Sequence, residues 1–230
     1  MIKAILLDFN GVVIDDEPVQ MRAYQEILKQ EGIDLSEGQY YDCLGKNDEV
    51  FLRTIFEGAG KHLPEARTAE LIEAKTAGWL KIVDGGVPLF EGIEDFIKRM
   101  SNSFALGLVS MARRPEIDHI LTSTGLERYF AVVLSAEDVS TVKPDPECYR
   151  EGFLRIDRAR TENGANPMTR RQCVVIEDAP QGIAAGKKAR LKTLGVTNTV
   201  GADALRKAGA DAVTHTLKDW NADSFHRVFD

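Results

Sequence analysis

Apolar and polar positions follow two different periods along this chain, and the periods mark two kinds of element. Residues 2–7, 104–109 and 173–176 are short, nearly unbroken apolar runs bounded by polar or turn-forming residues, the pattern of strands buried on both faces. Elsewhere the spacing is helical. Residues 18–30 place Met21, Tyr24, Ile27 and Leu28 on one face, and Gly32 stops the run. Residues 50–56 and 65–80 predict two further helices, with Gly58-Ala59-Gly60 and Pro64 punctuating between them. After Pro88-Leu89-Phe90-Glu91-Gly92 comes a helix that turns Ile93, Phe96, Ile97 and Met100 inward.

Beyond Leu89 the strand-like and helical segments alternate, which predicts βαβ units and an α/β fold with a Rossmann-like parallel sheet. The helices between the first strand and Leu89 exceed what one crossover needs. The expected organisation is therefore an α/β core of residues 1–15 and 88–230 with a helical cap domain, residues 16–87, inserted into it. Residues 157–171, dense in charge and carrying Gly164, Asn166 and Pro167, predict a surface loop.

Length and charge narrow the function classes. A chain of 230 residues is ample for one or two domains with a real core. A formal charge of -7 leaves no basic footprint, so neither nucleic acid nor an anionic membrane surface is expected as a partner. No run approaches the ~20 apolar residues of a membrane span, and the apolar start is too short for a signal-peptide core; a cytoplasmic location is expected. Cys43, Cys148 and Cys173 are widely spaced and read as reduced thiols, and the histidines His62, His119, His215 and His226 show no metal-ligand spacing.

Polar residues sit where the strands end. Asp8-Phe9-Asn10-Gly11 follows the first strand and Ser110 follows the second; Lys143 precedes Pro144-Asp145-Pro146; Glu177-Asp178, followed by Ala179-Pro180-Gln181-Gly182, ends another. Open α/β sheets bind ligands at these carboxyl ends. Each signal alone is ordinary: a strand-end hydroxyl, a loop lysine, a turn carboxylate. The ordered set resembles the haloacid dehalogenase superfamily over essentially the whole chain, and the helical insertion resembles the small cap of its phosphoglycolate phosphatase and β-phosphoglucomutase branch. Phosphatases of that superfamily open with Asp-x-Asp-Gly; here the second aspartate is Asn10.

The resemblance implies a magnesium-dependent phosphatase of a small phosphorylated metabolite. Asp8 would be the nucleophile and carry an aspartyl-phosphate. Magnesium would be held by the Asp8 carboxylate, the backbone carbonyl of Asn10, the Asp178 carboxylate and Glu177, directly or through water. Ser110 would hydrogen-bond a phosphoryl oxygen and Lys143 would neutralise its charge. Lys46 and Asn47 are the candidates for substrate contact in the cap, with Lys75 a further one. Oligomeric state cannot be read from the sequence. Asn10 cannot exchange a proton at neutral pH, and lost general acid–base catalysis costs about 10²–10⁴ in rate, so Asn10→Asp is expected to restore it.

Other chemistries in the family are weighed on the same residues. A haloacid dehalogenase needs no metal, which the Glu177-Asp178 pair argues against. A phosphonatase uses a cap lysine as Schiff base, for which Lys46 is the candidate, and tolerates Asn10. β-Phosphoglucomutase relies on the second aspartate and on a cap histidine where this chain has Gln20. A protein that binds phosphometabolites without turnover is the alternative from a different class.

Overall fold

A computed structural model describes residues 1–86 and 88–230 of the chain. Strand β1 (Ala4–Leu7) leads into four helices, α1 (Glu17–Gln30), α2 (Glu37–Tyr41), α3 (Asp48–Gly58) and α4 (Glu65–Val83). Then come α5 (Ile93–Ser101), β2 (Ala105–Val109), α6 (Arg114–Thr124), β3 (Val132–Leu134), α7 (Glu147–Glu162) and β4 (Cys173–Glu177). The chain closes with α8 (Pro180–Lys188), β5 (Lys192–Val196), α9 (Ala202–Lys207), β6 (Ala212–Thr214) and α10 (Ala222–Phe229). Among the described residues no helix is long and apolar enough to cross a membrane.

The six strands form one sheet in the order β3-β2-β1-β4-β5-β6, and every pair is parallel. The expected α/β class is the observed one. Strand β1 lies at the centre, where Ala4 to Leu7 pair with Ala105 to Leu108 on one side and Cys173 to Ile176 on the other. Its successive side chains enter opposite cores: Ile5 and Leu7 join Phe96, Ile97 and Phe225, while Ala4 and Leu6 join Tyr149, Phe153 and Ile156. Burial on both faces is why these strands read as continuous apolar runs rather than alternating ones. Chain order reverses across β1, since α5 and β2 lead one way and β4 the other, and the carboxyl ends at such a point form a crevice.

The inserted helices bury a third apolar cluster of their own. Tyr24, Ile27 and Leu28 of α1 pack against Phe51, Leu52, Ile55 and Phe56 of α3, with Tyr24 stacked on Phe51 at 3.9 Å between ring centroids. Ala23, Trp79 and Val83 belong instead to the sheet's core and tie the insertion to it. The helices expected at 18–30, 50–56 and 65–80 are present and slightly longer; α2, a single turn closed by a Ser36 and Gln39 capping box, has too few residues to show a period. The last residue of the expected cap, residue 87, lies outside the described residues.

One expectation needs correction. Residues 157–162 are not loop but the last turns of α7, whose inward face Cys148, Tyr149, Gly152, Phe153 and Ile156 is buried. The charges there are the helix's solvated face, with Asp157 and Arg160 paired at 3.6 Å, and only residues 163–169 run outside regular structure before a short 3-10 turn at Arg170–Gln172.

Candidate active site

The carboxyl ends of β1, β2 and β4, with Lys143 from the loop between β3 and α7, bring six of the residues singled out by sequence into one place. Asp8 leaves β1 with its N–H bonded to the Ile176 carbonyl (3.0 Å), and its Oδ1 accepts from the Phe9 N–H (2.8 Å). Lys143 Nζ reaches Asp8 Oδ2 at 2.8 Å and Glu177 Oε1 at 2.6 Å. Oxygens of Asp8, Glu177 and Asp178 all lie within 4.8 Å of one another. Ser110, buried at the end of β2, accepts from the Ala112 N–H (2.9 Å) and stands 3.5 Å from Asn10 Oδ1.

Electrostatically the cluster is unbalanced. Among the described residues three buried carboxylates face one ammonium, so when all three are ionised two negative charges are left without a cation. Burial, then the neighbouring Glu177 carboxylate, pushes the Asp8 carboxyl well above its usual range, against the pull of Lys143. Asp178 is pushed up in the same way by burial and Glu177, with the Thr199 hydroxyl pulling down. Burial disfavours the charged Lys143, but Asp8 and Glu177 outweigh it and hold its pKa above the ordinary lysine value. Hard oxygen donors carrying two uncompensated negative charges suit a divalent cation. Glu177 has the least to offer it: Oε1 takes Lys143 and the Tyr149 hydroxyl, leaving Oε2 with only a 3.4 Å contact from the Ala179 N–H.

The turn after Asp8 is fitted tightly around Asp178. Gly11 has φ of +73°, and a Cβ there would fall 1.9 Å from Asp178 Oδ2. Its carbonyl accepts from Asn198 Nδ2 (2.8 Å), while the Thr199 hydroxyl donates to Asp178 Oδ2. Gly11→Ala therefore displaces Asp178 as well as straining the turn. We expect it to abolish saturable magnesium binding and lower stability by ~1–3 kcal/mol, read by calorimetry and urea unfolding; unchanged magnesium affinity would show that Asp178 has no part in the ion's site.

Over this floor lies the insertion. Gly45, at φ +80°, sits so close to the core that a Cβ would stand 3.2 Å from Gln181 Cβ and 3.4 Å from Lys143 Cβ. The cleft between the two parts is lined from the insertion by Glu17, Gln20, Tyr24, Lys46, Asp48 and Lys75. Of the three expected cap contacts, Lys46 lines this cleft, its Nζ 3.2 Å from Thr54 Oγ1 and 3.5 Å from Cys43 Sγ. Lys75 lines it too, but not as a solvated side chain. It is 2% exposed, between Asp48 Oδ1 (3.2 Å) and Glu116 Oε1 (2.9 Å), with its ammonium 5.0 Å from the Tyr24 ring centroid. Asn47 does not line the cleft; its Oδ1 accepts from the Val50 N–H (2.9 Å) and caps α3.

Sequence reading missed the partner of Asn10. Asn10 Nδ2 donates to both oxygens of Asp16, at 2.9 and 3.0 Å, and Asp16 also accepts from Gln20 Nε2 (2.9 Å) and Trp79 Nε1 (2.8 Å). Burial pushes the fully enclosed Asp16 carboxyl up to about 6, against the pull of the Asn10, Gln20 and Trp79 donors. With its amide hydrogens committed to Asp16, Asn10 presents a carbonyl oxygen to the cleft. Glu17, next in sequence, is pushed up to about 7 by burial and by Asp16, while the Tyr40 hydroxyl donates to it.

Residues 5–196 match the family of haloacid dehalogenase-like hydrolases. The chain belongs to that family. It is 26% identical over 195 residues to hexitol phosphatase B of Escherichia coli, spanning 84% of this chain and 82% of the relative. It is 28% identical over 211 residues to validoxylamine A 7'-phosphate phosphatase of Streptomyces hygroscopicus subsp. limoneus, spanning 90% and 92%. A crystal structure of β-phosphoglucomutase from Clostridium difficile superposes with a TM-score of 0.84 over 100% of this chain and 97% of that one, at 23% identity, a likeness of fold. The family and the hydrolase class expected from the strand-end residues are thus the ones found, and these two relatives are phosphatases by name.

Proposed function

We propose that this haloacid dehalogenase-like hydrolase is a magnesium-dependent phosphatase of small phosphorylated carbohydrates, acting through an aspartyl-phosphate on Asp8. The observation that carries the reading is the charge of the Asp8, Glu177, Asp178 and Lys143 cluster at the carboxyl end of the sheet. The relatives named for a hexitol and for validoxylamine A 7'-phosphate support the substrate class. Residues 1–15 and 88–230 serve as the core domain and 16–87 as the cap.

The carboxylates of Asp8 and Asp178 would hold magnesium, with the Asn10 backbone carbonyl beside them and Glu177 Oε2 directly or through water. When bound, the ion supplies charge neutralisation and alignment of the phosphoryl group for in-line attack. The remaining work falls to the chain. Asp8 Oδ2, held by Lys143, attacks phosphorus; the Lys143 ammonium and the Ser110 hydroxyl neutralise and orient the phosphoryl oxygens. The insertion covers the cleft and keeps bulk water from the acyl phosphate until the leaving oxygen, which Asn10 cannot protonate and which takes its proton from a water in the cleft, has departed as the alcohol. Asn10 Oδ1 accepts a hydrogen bond from the water that then attacks phosphorus and breaks the P–O bond to Asp8, orienting it without taking its proton, which stays with the released phosphate.

Acetyl phosphate is the cheapest test, because its leaving group scarcely needs protonation. We expect magnesium-dependent hydrolysis and, after a rapid quench, phosphate on the peptide carrying Asp8 by mass spectrometry. Asp8→Ala should abolish both, and Asp178→Asn should weaken magnesium in calorimetry. Full activity in Asp8→Ala would end the proposal.

A further inference from the structure

Every carboxylate of the strand-end cluster reaches the cleft with at least one oxygen already tied to the protein. Glu177 is the most confined. Its Oε1 accepts from Lys143 Nζ at 2.6 Å and from the Tyr149 hydroxyl at 2.5 Å, which fills both lone pairs of that oxygen. The carboxylate has no room to turn away from them: it is wholly buried, and a Cβ on Gly182, in the first turn of α8, would fall 1.8 Å from Oε1 and 2.2 Å from Oε2. Oε2, with only the Ala179 N–H at 3.4 Å, is the one oxygen Glu177 has to offer. Asp178 is held on the same plan, for the Thr199 hydroxyl donates to its Oδ2, and a Cβ on Gly11 would stand 1.9 Å from that same oxygen. Asp8 accepts from the Phe9 N–H on Oδ1 and from Lys143 on Oδ2. The cluster therefore presents single oxygens rather than chelating pairs.

That arrangement discriminates between divalent ions. Magnesium is small, demands an octahedron and keeps several waters, so one oxygen from each carboxylate suffices; calcium takes about 6–8 oxygens and gains from carboxylates that close on it with both. Two of the donors that tie these oxygens down stand outside the cleft. Tyr149, on α7, is fully buried and packs with Leu6, Phe153 and Ile156, and Thr199 lies half-buried on the loop after β5; neither lines the cleft. Each can act on a bound ion only through the carboxylate it holds.

We propose that Tyr149 and Thr199 are positioning residues that hold Glu177 and Asp178 to one oxygen each and thereby set the preference of this site for magnesium over calcium. The inference rests on the magnesium reading of the Asp8 site and is measured by binding, without turnover. Calorimetry with magnesium chloride and with calcium chloride, on the unaltered protein and on Tyr149→Phe and Thr199→Val, gives the ratio of the two dissociation constants. Magnesium should bind the unaltered protein more tightly. Each variant frees a lone pair on one carboxylate and should move the ratio about tenfold toward calcium, the worth of one hydrogen bond to a charged oxygen. A purely structural role would weaken both ions alike and leave the ratio where it was. Thr199 is on a half-buried loop, so Thr199→Val carries the test even if the buried Tyr149→Phe does not fold. An unchanged ratio in a folded variant, or tighter binding of calcium than of magnesium by the unaltered protein, overturns the proposal. An unchanged ratio with saturable magnesium binding leaves the magnesium reading standing; no saturable binding of either ion removes that reading and the selectivity together.

Discussion

Exchanging the two residues, as Asn10→Asp together with Asp16→Asn, is expected to raise kcat toward alkyl phosphate monoesters by about 10²–10⁴, whereas Asn10→Asp alone should fall well short of that. The reason is the pair of contacts of 2.9 and 3.0 Å between Asn10 Nδ2 and the Asp16 oxygens. An aspartate at position 10 would set a second carboxylate at hydrogen-bond distance from the enclosed Asp16, where both do not readily ionise, and the pair would share a proton with a raised apparent pKa. Asp16 already lies at about 6. A carboxyl whose folded pKa exceeds its unfolded value contributes its stability at low pH and loses it as pH rises through the folded value. The single variant should therefore lose stability relative to the double one between about pH 5 and about pH 8, the window that begins near the unfolded carboxyl pKa and passes the raised one. In the double variant the new amide at 16 donates to the new carboxylate at 10, so the contact survives with its roles exchanged. Steady-state kinetics and thermal unfolding of both variants decide it. Equal kcat and equal pH dependence in the two would remove Asp16 from the account.

That pairing also marks where sequence stopped being informative. Asp8, Ser110, Lys143, Glu177 and Asp178 were legible because their order along the chain resembles the superfamily's motifs, and a parallel sheet gathers the strand ends that carry four of them at one edge by topology. The contacts of Asp16 were not. Its partners Gln20 and Trp79 come from two different helices of the insertion, and no local period says that α1 and α4 cross above the first turn. Lys75 shows the same limit: one turn of α4 carries both a charge and a buried position, and only the distance to Glu116 on α6 reveals which wins. Asn47 could have been read correctly, since an asparagine ahead of Asp48-Glu49 and an apolar helical run is an N-cap signal. The missed end of α7 has a plainer cause, since charge density alone does not distinguish a loop from a solvated helix face.

Two buried lysines then separate catalysis from scaffold, and their removal should differ in one measurable respect. Lys143→Met takes the only ammonium away from Asp8 and Glu177, contacts of 2.8 and 2.6 Å, and Lys75→Met takes the one between Asp48 and Glu116. Removing one partner of a buried pair costs about 3–5 kcal/mol, so both variants should unfold at clearly lower urea concentration without metal. Their responses to magnesium should diverge. In Lys143→Met the carboxylate cluster loses the ammonium that faces it, and an ion that binds only the folded state stabilises it in proportion to the logarithm of its concentration over Kd. Magnesium should therefore stabilise Lys143→Met by more than it stabilises the unaltered protein, whereas Lys75→Met, whose stranded carboxylates lie on the insertion and α6 and whose metal site is unchanged, should gain only what the unaltered protein gains. Turnover should divide the other way: a fall of about 10² or more in kcat for Lys143→Met even when saturated with magnesium, because the phosphoryl group loses a fixed cation. Buried Trp79, beside Asp16, provides the fluorescence signal for the unfolding curves. Identical magnesium dependence in the two variants would show that Lys143 and the metal ligands do not share one site, and the Asp8 assignment would go with it.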